Sequence, residues 1–359
     1  LENFASTLQQ VIDKTQIQHM VVASIGDLLG PWHGRWLTFA VRHLAKMVPE
    51  FELPLDNGRT VTPFKKAIAQ GRHLSLKANA QNLDSIAFLQ YTGGTTGLSK
   101  GAVLTHRNIV AAILQAEAWF SPAMAKVGDL RKVNSIAALP LYHIFALTLA
   151  LLAIRQGSHL TLIPNPRDFG KFIEVLKQRP FHIFAGVNTL FNALMQHPMF
   201  KTLDFSSLCL TQAGGMAASE GTARSWQAAT GSAMIEGWGM SETCAIGTNN
   251  PVTQTHFSGT IGLPLPSIDI AIKDDEGNSL PQGASGEICI KGPNIMPGYY
   301  NQPEENAKTF TADGFMRTGD IGIMDERGFT RIVDRKKDMI IVSGFNVFPN
   351  ELENVISTC

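Results

Sequence analysis

The chain of 359 residues has little of what would assign it quickly. It has four cysteines, Cys209, Cys244, Cys289 and Cys359, far apart and without metal-ligand spacing. A disulfide framework and a zinc site are therefore not expected, and the thiols read as reduced ones in a cytosolic protein. Neither sign of charge is in excess, since 30 Lys and Arg balance 30 Asp and Glu. A basic surface for nucleic acid has no compositional support. No run is long and apolar enough to span a bilayer; the richest, Ile144 to Ile154, suits a buried helix. There is no secretory signal pattern. The hydrophobic share, 44%, is ample for a large core and suggests two or three domains.

Both ends look cut. Leu1 opens inside the helical pattern Phe4, Leu8, Val11, Ile12, and Cys359 follows another helical start at Glu351 to Ile356. The expectation is a portion of a longer protein. Arg35 to Val48 reads as a basic amphipathic helix, a solvated face in the first instance, with contact to a membrane surface left open. From Ser85 to about Trp238, apolar runs alternate with helical patterns. Strands are expected at Ile86–Gln90, Ser135–Leu139, His159–Ile163, Phe181–Gly186 and Leu208–Gln212. Helices are expected at Arg107–Phe120, Phe145–Arg155, Phe169–Gln178, Asn188–Gln196 and Ser219–Ala229. Such alternation predicts an α/β layer fold around a buried parallel sheet. After Ser258 the pattern changes to period two at Ile268–Ile272, Gly286–Ile290 and Phe329–Val333, with turn-rich segments between them, which predicts a small antiparallel β unit. Five charged residues, Asp334 to Asp338, then interrupt the apolar pattern. They suit a surface turn or an interdomain hinge.

The most informative stretch is Tyr91-Thr92-Gly93-Gly94-Thr95-Thr96-Gly97-Leu98-Ser99-Lys100-Gly101. Glycines let backbone N–H groups converge on an anion, hydroxyls add donors, and Lys100 adds a full positive charge. The natural guest is a polyphosphate, although the spacing is not that of the common nucleoside triphosphatase loop. The competing reading is a glycine-rich linker. A second candidate is Glu236-Gly237-Trp238-Gly239-Met240-Ser241-Glu242-Thr243. It has an aromatic ring for a purine, glycines for close approach, and a carboxylate, Glu242, suited to Mg²⁺ beside phosphate. On its own it could equally be a helix start capped by Ser241. Gly214 and Gly215 form a third glycine turn between a strand and a helix. Asp320 and Arg335 stand in charged blocks further on.

In this order the motifs resemble those of the adenylate-forming superfamily, and most closely the bacterial long-chain fatty acid–CoA ligases. Leu139 to Phe145, Gly186 to Asn192 and Val342 to Asn350 extend the likeness, so it runs along nearly the whole chain. Departures are Trp238 for the usual tyrosine, Ser241 for threonine, and Phe315-Met316-Arg317 for Trp-Leu-His. The resemblance implies a large α/β domain over residues 1–257 and a β subdomain over 258–333. It also implies a hinge over 334–338, with Lys337 as its pivot, and the start of a C-terminal α+β domain over 339–359. The implied reaction joins a fatty acid to the α-phosphate of ATP, releases pyrophosphate, and passes the acyl group to CoA.

By the same resemblance, Thr92, Gly93, Gly94, Thr95, Thr96, Gly97 and Lys100 take the phosphates, with Ser241 close by, and Glu242 takes Mg²⁺. Gly214, Gly215, Glu236, Gly237, Trp238, Gly239 and Met240 surround adenine. Asp320 and Arg335 take the ribose, with Ile332 nearby. Lys100, Thr92, Glu242 and Ser241 are the catalytic candidates. Tyr142, His143, Phe145, Val187, Asn188 and Leu190 are the candidate walls of an acyl tunnel, whereas Phe184 and Phe191 are expected in the core. The lysine that such enzymes carry near the C-terminus has no counterpart here, so this polypeptide alone is expected to adenylate poorly. A ligase that loads a carrier protein and a non-catalytic nucleotide- or lipid-binding relative are the alternatives. The cytoplasm, with or without contact at the inner face of the membrane, is the expected location, and a homodimer is left open.

Overall fold

The computed structural model describes residues 1–56, 58–76, 79–93 and 99–336, together with the backbone of two short strands beyond them. Two compact units divide the chain, residues 1–80 and 81–359. In the first, α1 (Ala5–Val11), β1 (His19–Val22), α2 (Pro31–Phe39), β2 (Thr60–Pro63) and α3 (Phe64–Gly71) enclose a small core of Ala5, Ile12, Met20 and Leu53. The parallel pair β1–β2 is its only sheet among the described residues. The helix expected at Arg35–Val48 begins earlier and ends earlier. Pro31 sits in the first turn, where its missing N–H costs nothing, and a π-helical turn, Ala40–Leu44, closes the element.

The second unit opens with a surprise. Ile86–Gln90, expected as a parallel strand, lies in β3 (Ile86–Thr92), which folds back antiparallel onto β4 (Lys100–Thr105) and does not join the large sheet. The partners Thr92 and Lys100 stand at the mouth of this hairpin. Thr105 then caps α4 (His106–Met124): its hydroxyl accepts from the Asn108 N–H at 3.2 Å, while Asn108 Oδ1 accepts from the Thr105 N–H at 2.9 Å.

Beyond α4 the chain alternates as the sequence predicts. The order is β5 (Asn134–Ala137), α5 (Ile144–Gln156), β6 (His159–Leu162), α6 (Phe169–Leu176), β7 (Ile183–Gly186), α7 (Asn188–Gln196), β8 (Leu210–Ala213), α8 (Glu220–Thr230) and β9 (Met234–Trp238). The five strands pair in parallel in the spatial order β9-β8-β7-β5-β6. β10 (Thr248–Asn249) and β11 (Leu263–Pro264) extend the β9 edge antiparallel. Every residue of β5, β7 and β8 is buried, as strands covered on both faces require. On one side lies an aromatic cluster in which Phe172, Phe184, Phe191 and Trp226 are almost wholly buried. The Trp226 indole N–H donates to Thr211 Oγ1 at 3.0 Å. Truncation there opens a large cavity and removes one of the two partners of the buried Thr211 hydroxyl, which keeps Ser232 Oγ at 3.0 Å. Trp226→Ala is therefore expected to lower stability by about 3–5 kcal/mol, read as a lower urea midpoint.

The antiparallel unit comprises β12 (Asp269–Lys273), β13 (Ser285–Lys291), β14 (Met316–Met324) and β15 (Thr330–Arg335), in that order, with α9 (Pro303–Thr309) before β14. β16 (Ile340–Val342) and β17 (Phe345–Val347) pair antiparallel. No helix among the described residues is long and apolar enough to cross a membrane.

Candidate nucleotide and acyl site

In an open α/β sheet, ligands collect outside the carboxyl ends of the strands, where the crossovers change direction. Here β5 leads to β6 on one side, and β7 then returns to the other side of β5. A cavity of about 750 Å³ lies at this end, a volume suited to a sizeable ligand. Its polar part is lined by Thr92, Gly93, Lys100, Gly214, Gly215, Trp238, Ser241, Glu242 and Arg335.

The β3–β4 hairpin brings Lys100 to this cavity by pairing with the loop before α9. The Tyr300 N–H donates to Gly101 O at 2.8 Å, and the Val103 N–H donates to Gly298 O at 3.0 Å. Lys100 forms an ion pair with Glu305 of α9 and sits over the Tyr299 ring, 5.4 Å from its centroid. The Tyr299 hydroxyl donates to Glu242 Oε1 at 2.7 Å. Burial, with the neighbouring Glu242 carboxylate second, pushes the Tyr299 phenol well above its ordinary range, so it remains a donor. Glu242 itself is buried, and the Met296 N–H holds its backbone carbonyl at 2.8 Å.

Glu242 is placed by a tight turn after β9. Gly239 lies so close to Ala245 that a Cβ would stand 2.3 Å from the Ala245 carbonyl oxygen, which no side chain could meet. Cys244 and Ala245 both adopt left-handed backbone, a local cost of about 1 kcal/mol or more apiece that often marks functional loops. The helix start capped by Ser241 is not what forms: Ser241–Thr243 is a single 3-10 turn that begins after Met240.

β14 and β15 deliver the ribose candidates. Asp320 and Arg335 are cross-strand partners, and Arg335 Nε donates to Asp320 Oδ1 at 2.8 Å. The other carboxylate oxygen accepts the Trp238 indole N–H at 2.9 Å. Asp320 is 2% exposed. Burial pushes its carboxyl above the ordinary carboxylate range, while Arg335 and the indole pull it back. A carboxylate offers about four acceptor positions, so two remain for a diol.

The structure separates the remaining candidates. Gly237, Gly239 and Met240 line the cavity; Glu236 does not. The Glu236 carboxyl accepts the Ala218 N–H at 2.9 Å, and burial pushes it up to about 7, so it braces the turn after β8 from behind. Ile332 packs into the antiparallel core rather than against the cavity. Of the expected tunnel walls, His143 and Phe145 line the cavity, and the Phe145 ring lies against Gly214. Tyr142 is 81% exposed, and Leu190 is buried in the aromatic cluster on the far side of the sheet, with Val187 packed against it. Asn188 Oδ1 accepts the Ser219 N–H at 3.2 Å. These four are motif neighbours of wall residues: Tyr142, before α5, is exposed, while the entry into α7 turns Val187 and Leu190 towards the aromatic cluster. The apolar wall is built instead by Phe120 of α4, Leu149 and Leu152 of α5, Ile183 of β7 and Leu210 of β8. Gly94, Thr95, Thr96, Gly97 and Lys337 lie outside the described residues. Sequence reasoning missed Tyr299 and Glu305, which no short motif flagged.

Residues 5–300 match the AMP-binding enzyme family. The chain belongs to that family. It is 45% identical over 359 residues to a long-chain-fatty-acid–CoA ligase of Yersinia pestis, covering 99% of this chain and 62% of the relative. A Bacillus subtilis protein of the same name is 39% identical over 275 residues, which is 76% of this chain and 48% of the relative. The ATP-bound crystal structure of MatB from Rhodopseudomonas palustris superposes with a TM-score of 0.77 at 29% identity, covering 98% of this chain and 66% of that one. The AMP-binding family chain thus has the α/β fold of these adenylate-forming structures and spans about 62% of the length of the first curated relatives.

Proposed function

We propose that this chain carries the nucleotide and acyl sites of an ATP-dependent long-chain fatty acid–CoA ligase. The observation that supports it most is one cavity shared by a phosphate-type lysine, Lys100, a metal-type carboxylate, Glu242, an apolar wall, and Arg335, which pairs with the buried Asp320 just behind the lining. In this reading Lys100, with Thr92 and Gly93, takes the β- and γ-phosphates, and the cation leaves Glu305 for the stronger anion. Asp320 accepts from the ribose hydroxyls, and Arg335 holds it from the solvent side. The indole of Trp238 is spent on Asp320, so its ring edge and its N–H share the work of placing the sugar. Glu242 supplies one hard oxygen for Mg²⁺, which fits a cation that takes one or two carboxylates and fills its shell with phosphate oxygens. Bound there, Mg²⁺ would neutralise charge on the phosphates. The fatty acid enters with its tail along Phe120, Leu149 and Leu152 and its carboxylate towards the α-phosphate.

The protein's contribution is alignment of two anions and neutralisation of their charge. The fatty acid carboxylate attacks the α-phosphorus and pyrophosphate departs. The thiol of CoA then attacks the acyl carbonyl, and AMP leaves. Residues 334–338 serve as the hinge between these steps. The free thiols Cys209, Cys244 and Cys289 suit the cytoplasm, where we place the reaction.

The test uses the product of the whole reading frame. Pyrophosphate release is followed for fatty acids of increasing length, with and without CoA. Release that requires a long-chain acid and is sustained only with CoA is the expected result. Release that stalls after one turnover despite CoA would favour transfer to a carrier protein. No release with any acid would overturn the proposal.

A further inference from the structure

Lys100 does not stand alone in the cavity. Glu305 of α9 neutralises it, although a lysine that binds phosphates gains no affinity from a carboxylate partner. The contact is built rather than incidental. The side chain of Asn306 fastens α9 to the loop before it: Asn306 Oδ1 accepts the Tyr299 N–H at 2.7 Å, and Asn306 Nδ2 donates to the Tyr299 carbonyl at 3.0 Å. Gly298 makes room for that side chain, since a Cβ there would stand 2.8 Å from Asn306 Nδ2. Glu305 is thus presented to Lys100 on the same frame that sets the Tyr299 ring under the ammonium. These bonds hold α9 without the ion pair, so the pair is not what keeps the helix in place. Both side chains keep contact with water, Lys100 at 22% and Glu305 at 35% exposure, which lets the pair open and close. Lys308 lies one turn further along α9 and lines the same cavity, a second cation in reach of Glu305.

A carboxylate on this lysine competes with any phosphate that comes to it. ATP has other holds in the proposed site, at the ribose and the base. Pyrophosphate has neither once the acyl-adenylate has formed, and depends on Lys100 and the Mg²⁺ site. We infer that Glu305 is an internal competitor of pyrophosphate for Lys100. It gives up the lysine when ATP enters, pairs with Lys308 meanwhile, and takes the lysine back as pyrophosphate departs. The inference rests on the ligase function proposed above and adds how that site releases its first product. Glu305 makes and breaks no covalent bond; it is a positioning residue that acts through Lys100. While displaced, its charge also repels the phosphates, because like charges in a half-buried site are weakly screened. Both effects have one sign: they weaken phosphate binding and hasten release.

The experiment compares Glu305→Gln with the parent, each as the product of the whole reading frame. Pyrophosphate is used as a product inhibitor of acid-dependent acyl-CoA formation, and ATP binding is titrated directly. Glutamine keeps the size and removes the charge. The Ki for pyrophosphate and the Kd for ATP are each expected to fall by roughly threefold to tenfold, the scale of a half-exposed ion pair facing a highly charged ligand. The KM for the fatty acid, which does not meet Lys100 in this reading, should stay put. Lys308→Met should raise both constants, and that effect should vanish in the Glu305→Gln background if Lys308 acts through Glu305. An effect of full size there would overturn the exchange between the two lysines. Glu304→Gln, an exposed neighbour on α9, controls for a general change of charge and should move neither constant. Thermal unfolding shows whether Glu305→Gln folds; if it does not, Glu305→Ala takes its place with the same expected signs. Unchanged or weaker binding of pyrophosphate and ATP, with the parent active, overturns the inference and leaves the ligase function standing. No acid-dependent release by the parent overturns the ligase function itself.

Discussion

Asp320→Asn is expected to weaken ATP binding by about tenfold to a hundredfold while leaving the folded protein as stable as before, or more stable. The two effects have one cause. Asp320 is buried between the Trp238 indole N–H and Arg335, and burial holds its carboxyl above its value in the unfolded chain. The folded state therefore keeps the proton longer than the unfolded one does. Stability from this group is present at low pH and is lost as pH rises through the interval between the two values. At neutral pH the ionised carboxylate is a cost of folding that ligand binding offsets. Asparagine removes the charge and the cost. Arg335 is half exposed, so its guanidinium can turn to water when the pair is lost. On the proposed function the same change removes a charged acceptor for two ribose hydroxyls, and hydrogen bonds to charged groups contribute about 1.5–3 kcal/mol each. The check is KM for ATP together with 2′- and 3′-deoxy-ATP. The parent should discriminate against both analogues and the variant against neither. Unchanged KM for ATP in the variant would show that the ribose is held elsewhere.

That pair of strands also shows what a sequence can and cannot disclose. Asp320 and Arg335 were legible as chemistry, since each stands in a charged block that resembles a known family. Their contact was not, because β14 escaped notice: Met316–Met324 has no clean alternation, and a register shift between Ile321 and Gly322 interrupts its pairing with β15. The parallel core was legible because β5, β7 and β8 are buried on both faces and read as continuous apolar runs. The same apolar signal misassigned Ile86–Gln90, since a short run does not say whether its partner is near or far in sequence. What decided the matter was the loop that returns to Lys100 and forms a local hairpin. The tunnel wall was misjudged for a related reason. Val187, Asn188 and Leu190 follow the strand end of β7, but helical geometry directs α7 to the aromatic cluster. Tyr299 and Glu305 carry no motif at all. They meet Glu242 and Lys100 only through the packing of α9 and the loop before it, which are properties of the fold as a whole.

Glu242→Gln should be the most damaging single change among the described residues of the site. Glutamine keeps the shape and still accepts from the Tyr299 hydroxyl, so the turn after β9 should survive. What is lost is the negative charge. With it goes the one carboxylate among these side chains that faces the phosphate lysine's compartment without being paired to a cation in the structure; Glu305 is held by Lys100, and Asp320 by Arg335. Among the described residues there is no cluster of three or more metal-type ligands that could substitute for it. Removing a preorganised electrostatic partner of a developing charge typically costs a hundredfold to a thousandfold in turnover, and about that loss in kcat is expected. The Mg²⁺ concentration for half-maximal activity should rise as well, which a purely structural role would not produce. Tyr299→Phe separates the two contributions. It leaves the carboxylate in place but untethers it, so the fall in kcat should be roughly tenfold, with a smaller shift in Mg²⁺ dependence. A Glu242→Gln enzyme with parental turnover and parental Mg²⁺ response would remove the metal from this carboxylate. It would also favour a relative of the ligases that binds nucleotide without turning it over.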